Sequence, residues 1–129
     1  METSFEDLKG KTITSIEGLQ KGSDRVEMKT SDGEEYVMYH CQSCCESVQI
    51  EDVCGDIEDI LNSEILLAEE VTNSDEHPHG VKFEYEPESF TWTFYKISTI
   101  RGSVTIRWLG ESNGCYSERV SFLKEPREG

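Results

Sequence analysis

Ser31-Asp32-Gly33 follows residues 25–29, in which apolar and polar side chains alternate with a period of two, and precedes residues 35–40, which read as the partner strand. Alternation sets one face of an extended chain against a core and the other in water, and Asp-Gly tolerates the positive φ angles of a tight turn. The combination predicts a β-hairpin, and residues 12–17 ahead of it predict a further strand and an opening meander. Residues 48–51, 90–97 and 103–108 alternate in the same way, and residues 65–68 are a short apolar run that predicts a buried strand. Asn113-Gly114 predicts a second hairpin in which residues 116–122 return against the preceding strand. One interruption has helical spacing: Ile57, Ile60 and Leu61 follow Asp56, a suitable N-cap, with acids in the first turn where the helix dipole favours them. The predicted class is α+β, mostly antiparallel β-sheet of meander and hairpins with one short helix. A chain of 129 residues fits a single domain, 1–129, with an ordered core over about 5–124 and a frayed tail.

The charge is unevenly spread. The net value is −15, yet residues 1–29 carry six acids and five bases, residues 82–129 carry seven of each, and residues 30–81 carry fourteen acids and no base. All three histidines and four of the five cysteines lie in that middle segment. Twelve aromatic residues and 35% hydrophobic content mark a folded chain and not an acidic disordered tail. So acidic a chain lacks the basic face that phosphates of nucleic acid or an anionic membrane require, which excludes direct binding to either. No stretch approaches the roughly 20 apolar residues of a membrane span. Residues 1–7 have neither a basic region nor an apolar run, so no targeting signal is expected and the thiols are expected to stay reduced in a cytosol.

Reduced cysteines beside a histidine point to metal. His40-Cys41-Gln42-Ser43-Cys44-Cys45 contains a C-x-x-C step, whose two sulfurs can point at one ion from a tight loop. Cys54 and Cys115 are the candidates to complete a structural zinc site with Cys41 and Cys44, and His40 and Cys45 are alternates. His77-Pro78-His79 reads as an exposed loop outside that site. Neither an H-E-x-x-H run, a deaminase signature, a G-x-S-x-G elbow, a phosphate-binding loop nor a calcium loop is present, so a stabilising ion is expected and an enzyme is not.

Glu46, Glu51, Asp52, Asp56, Glu58, Asp59, Glu64, Glu69 and Glu70 flank the predicted helix and form a candidate partner-binding face. Acids on one side of a strand stand about 6.8 Å apart, and phosphates follow a duplex axis at about 3.4 Å per strand. Such a surface can occupy a basic groove built for nucleic acid, steered there by long-range attraction. Arg101, Arg107, Trp92 and Trp108 offer a contrasting chemistry: sharing a face, they could hold the phosphates and stack the base of a small nucleotide.

Tyr39-His40 with Cys44-Cys45-Glu46, Ile50-Glu51-Asp52, Gly55-Asp56, Ala68-Glu69-Glu70, Trp92-Thr93-Phe94-Tyr95, Thr105-Ile106-Arg107-Trp108 and Gly110-Glu111-Ser112-Asn113-Gly114 make up spaced blocks. Over most of residues 8–123 these blocks resemble a family of small acidic proteins found in phages and prophages. Cys41, Cys54 and Cys115 depart from that family's pattern, Cys115 standing where an aromatic is expected. The resemblance implies a role against host defence in the cytoplasm of an infected bacterium. It implies most directly an anti-CRISPR protein that binds Cas9 through residues 46–70 and keeps target DNA from its basic channel. Some Cas9 inhibitors are acidic proteins of this kind, one of them containing zinc. The alternative is a sponge that sequesters a small nucleotide defence signal, and a metal-dependent enzyme is a weaker third reading.

Overall fold

The structure, a computed structural model, describes residues 3–41, 45–74, 89–112, 114 and 117–125. The strands expected in the first third form: β1 (Ile13–Glu17), β2 (Arg25–Thr30) and β3 (Glu35–Tyr39) make the antiparallel meander. Lys29 faces Glu35 across the predicted turn, where Gly33 takes a φ of 82°. β4 (Ser47–Cys54), β5 (Leu67–Asn73), β6 (Ser89–Thr99) and β7 (Gly102–Ser112) form a second antiparallel sheet in the order β4-β7-β6-β5. β8 (Ser121–Glu125) returns to the first sheet, whose order is β1-β2-β3-β8.

The two sheets enclose one core. Val26, Met28, Tyr36, Met38 and Phe122 come from the first sheet, and Val48, Ile50, Tyr95, Ile97, Val104, Ile106 and Trp108 from the second. The indole Nε1 of Trp108 donates to Met38 Sδ at 3.1 Å across the gap. At the seam Phe5 packs on Tyr95 and Phe122, with ring centroids 4.6 and 5.3 Å away. Pairing aromatic rings across two sheets adds directional contact to the burial of apolar area that holds such layers together.

Three expectations need correction. The predicted helix is a single 3-10 turn, Ile57–Ile60. Asp56 does cap it, accepting from the Glu58 N–H at 3.0 Å. It goes no further because β1 claims the following backbone: Leu61 bridges Ile13, Asn62 has a φ of 59°, and its N–H donates to the Ile13 carbonyl at 2.8 Å. A second 3-10 turn, Phe5–Leu8, lies near the N-terminus, capped by Ser4. The second hairpin is not formed between β7 and β8, which belong to different sheets. Instead β6 and β7 make the long hairpin, reversing at Ile100-Arg101. Residues 65–68 are not a wholly buried strand: Ile65 and Ala68 are buried, but Leu66 and Leu67 are exposed where β5 begins at the edge of its sheet.

Charges on the first sheet form a linked set. Lys11 Nζ lies 2.8 Å from Asp32 and 2.7 Å from Glu34, Lys124 lies 2.7 Å from Glu34, and the Tyr36 hydroxyl donates to Glu34 at 2.6 Å. The Lys11 ammonium holds both carboxyls down to about 2, with Lys124 and Tyr36 adding to the effect on Glu34. Burial and the Glu34 carboxylate push the Tyr36 phenol up to about 12. Depressed carboxyl groups stabilise the fold above their ordinary values near 4, and that contribution disappears as pH falls toward 2. Thermal melts across this window should show a falling midpoint, and Glu34→Gln should flatten the fall. A variant with the unchanged pH profile would show that this set does not contribute.

Candidate functional site

The two ends of the paired sheets carry different chemistry. At one end β3 gives way to His40, and Glu46 leads into β4. His40 and Glu46 are both buried, with side chains 3% and 0% exposed. His40 Nδ1 lies 2.7 Å from the Arg119 carbonyl oxygen, which can only accept, so Nδ1 carries a hydrogen and donates. His40 Nε2 lies 2.8 Å from Glu46 Oε2, and one proton must occupy that contact. The pair is either imidazolium with carboxylate or neutral imidazole with carboxylic acid. Both ring nitrogens are therefore engaged, which leaves His40 no lone pair directed at a metal. Beside this pair, Glu118 is buried and accepts from Thr91 Oγ1 at 2.8 Å and from Ser112 Oγ. Gly110 makes room for it: a Cβ there would stand 2.7 Å from both Glu118 Cβ and its carbonyl oxygen.

The cysteines do not gather as the spacing predicted. Cys41 follows His40 at this end, exposed and free, whereas Cys54 closes β4 at the other end, exposed and free beside Thr105. Cys45 is disulfide-bonded, contrary to the expectation of reduced thiols throughout, and a disulfide sulfur is not a thiolate ligand. Cys44, Cys115, His77 and His79 lie outside the described residues. Among the described residues no group of three or more His, Cys, Asp and Glu is placed to hold a metal ion.

The predicted acidic face is divided by the fold. Glu46 leaves it altogether, buried against His40. Arg107 grips Glu51 through Nε and Nη2 and lies 3.8 Å from Asp52. Glu69 and Glu70 are on β5, the sheet edge opposite β4, about 14 Å away across three strand spacings. Glu70 faces the buried Tyr95, whose hydroxyl makes no hydrogen bond of ordinary geometry. Burial pushes both groups up, and the Glu70 carboxylate adds to the effect on the phenol. Asp56, Glu58, Asp59 and Glu64 lie along the segment that wraps the tip of the β6–β7 hairpin, Glu64 at the point where that segment bridges Thr12.

That wrapping is well defined. Thr99 Oγ1 donates to the Asp59 carbonyl and accepts from the Arg101 N–H at 3.1 Å. Arg101 Nη1 donates to the Leu61 carbonyl at 3.4 Å, and the Leu66 N–H donates to the Ser98 carbonyl at 2.8 Å. Gly102 allows the closest approach, since a Cβ there would stand 2.7 Å from Asp59 Oδ2 and 3.1 Å from Asp59 Cβ. Asp56, Glu58 and Glu64 are exposed and Asp59 half-buried, so this group faces solvent on a braced frame.

The arginines and tryptophans do not make one pocket. Trp108 is fully buried between the sheets, Trp92 is equally buried but on the opposite face of β6, with the Arg107 guanidinium 5.4 Å from its ring, and Arg101 is at the hairpin tip. Sequence reasoning missed the His40–Glu46 pair and Glu118, because burial of a charged side chain leaves no periodic trace. It also missed the β6–β7 reversal, for which Gly102 between two alternating runs was an available signal.

The family model for a domain of unknown function, DUF7448, matches residues 6–122, from the first 3-10 turn to β8. The chain belongs to this family. The match encompasses both ends of this DUF7448 domain, the His40–Glu46 pair and the acidic hairpin tip alike. No curated protein and no solved structure matches the chain. Among the described residues no helix is long and apolar enough to cross a membrane.

Proposed function

We propose that this DUF7448 domain is a binding protein that occupies a basic, nucleic-acid-handling surface of another protein, and that the partner is Cas9. The observation that carries the reading is the group Asp56, Glu58, Asp59 and Glu64, held at one end of the sheets by the braced hairpin. Preorganised acids complement a basic surface without a cost for ordering them on contact. The net charge of −15 raises the rate of encounter with such a surface and repels nucleic acid itself. The resemblance to phage and prophage proteins directs the choice of partner to Cas9, which holds its heteroduplex in a positively charged channel. Arg107, Trp92 and Trp108 serve the fold in this reading, and a nucleotide sponge has no assembled pocket among them.

The test is inhibition of target cleavage by guide-loaded Cas9. Wild-type protein added before DNA should inhibit, and protein added after DNA loading should not. Replacing Asp56, Glu58, Asp59 and Glu64 together by Lys should weaken binding about a hundredfold or more. Raising salt from about 0.1 M to about 0.5 M should weaken the wild type and leave less for the variant to lose. Unchanged cleavage at saturating wild-type protein would remove Cas9 as the partner. Equal inhibition by the four-lysine variant would remove these acids as the contact.

A further inference from the structure

The tip of the β6–β7 hairpin breaks two local rules. Two-residue hairpin turns favour Gly, Asn or Asp, yet Ile100 and Arg101 occupy this one, between the paired Thr99 and Gly102. Ile100 is also 88% exposed, the most exposed large hydrophobic side chain among the described residues. Burial gains nothing for the fold from an isoleucine in that place. Leu66 and Leu67 are exposed as well, and both are joined to Ser98, two residues before Ile100: Leu66 by its backbone hydrogen bond and Leu67 as its cross-strand neighbour. Three large aliphatic side chains thus lie at the same corner of the sheet as Asp56, Glu58, Asp59 and Glu64.

We infer that Ile100, with Leu66 and Leu67 beside it, is an apolar anchor that seats in a recess of a folded, basic protein surface. The inference rests on the acidic-surface reading and deepens it by naming the kind of partner. Charge decides among possible occupants. A second copy would bring another chain of −15 against the same acids, and a nucleic acid would bring phosphates, so both are repelled. A basic surface is attracted, and a recess in it is what an exposed, braced isoleucine can fill. The brace matters because the Thr99, Asp59 and Arg101 hydrogen bonds hold the tip in one shape before contact, so little order is lost on binding.

The test uses full-length protein carrying a photo-crosslinking phenylalanine analogue at position 100, with position 29 on β2 as control. The probe is guide-loaded Cas9. The expected result is an adduct from position 100 and none from position 29, mapping to an apolar recess flanked by Lys or Arg. Excess wild-type protein should suppress it, whereas excess of an Ile100→Ser, Leu67→Ser variant should suppress it roughly thirtyfold less well. That variant should melt with the wild type, since both side chains are exposed. Inhibition of Cas9 by wild-type and variant protein alike, without an adduct at position 100, would overturn the anchor and leave the acidic contact standing. Failure of Cas9 to bind, joined to a wild-type-sensitive and variant-insensitive adduct on another basic protein of a bacterial extract, would remove Cas9 and support the anchor. No competition-sensitive adduct on either would overturn both, and an adduct between two copies of the chain would overturn the choice of partner chemistry.

Discussion

Glu46→Ala should destabilise the protein by about 3–5 kcal/mol, because it leaves His40 buried with Nε2 unpaired. For a domain of this size the melting midpoint should fall by roughly 10 °C or more. Glu46→Gln should restore most of the loss. The amide can donate to a neutral Nε2, while Nδ1 continues to donate to the Arg119 carbonyl. The carboxylate is then needed for its hydrogen bond and not for its charge. If Gln destabilised as much as Ala, the imidazolium form would be the one the fold requires. If neither substitution moved the midpoint, the pair would have no role in joining β3, β4 and the segment before β8. The same measurement separates this buried glutamate from the exposed acids, since Glu58→Ala should be close to neutral for stability.

Trp108→Ala should cost about 3–5 kcal/mol, the usual range for removing a fully buried tryptophan. Its side chain meets the core between Ile50 on β4 and Thr93 on β6, and its indole N–H reaches Met38 on the opposite sheet. The substitution leaves a cavity where the two sheets share the contact between the indole N–H and Met38. Trp108→Phe should cost less, losing the donor and part of the volume. A nucleotide pocket predicts the opposite pattern, with affinity lost and stability kept, so melts of the two variants decide between core and pocket.

The parts of the fold that were legible in the sequence are those governed by neighbours along the chain. Alternation marked β2, and Asp32-Gly33 marked the turn that returns the chain into β3, because pleat and turn geometry are local. Asp56 was legible as a cap for the same reason. The length of what it caps was not, since β1 takes the backbone at Leu61 and Asn62 and stops the turn after four residues. Residues 65–68 show the same limit: a sheet edge exposes Leu66 and Leu67 whatever their hydropathy.

By itself the sequence determined a β-rich fold with an opening meander, and a concentration of negative charge in residues 30–81. Both follow from composition and short-range periodicity. Only the tertiary structure decided that β8 joins β3 and not β7, that Glu46 is removed from the acidic face by His40, and that the segment carrying Asp56, Glu58, Asp59 and Glu64 is bonded to the hairpin that carries Ile100. Those outcomes depend on contacts between residues far apart in the chain. Burial of Phe122 beside Phe5 and Tyr36, with ring centroids 5.3 and 5.4 Å away, is available to β8 only in the first sheet. A turn signal is local and carries no information about which sheet a strand completes, so the partner of β8 was set by that packing.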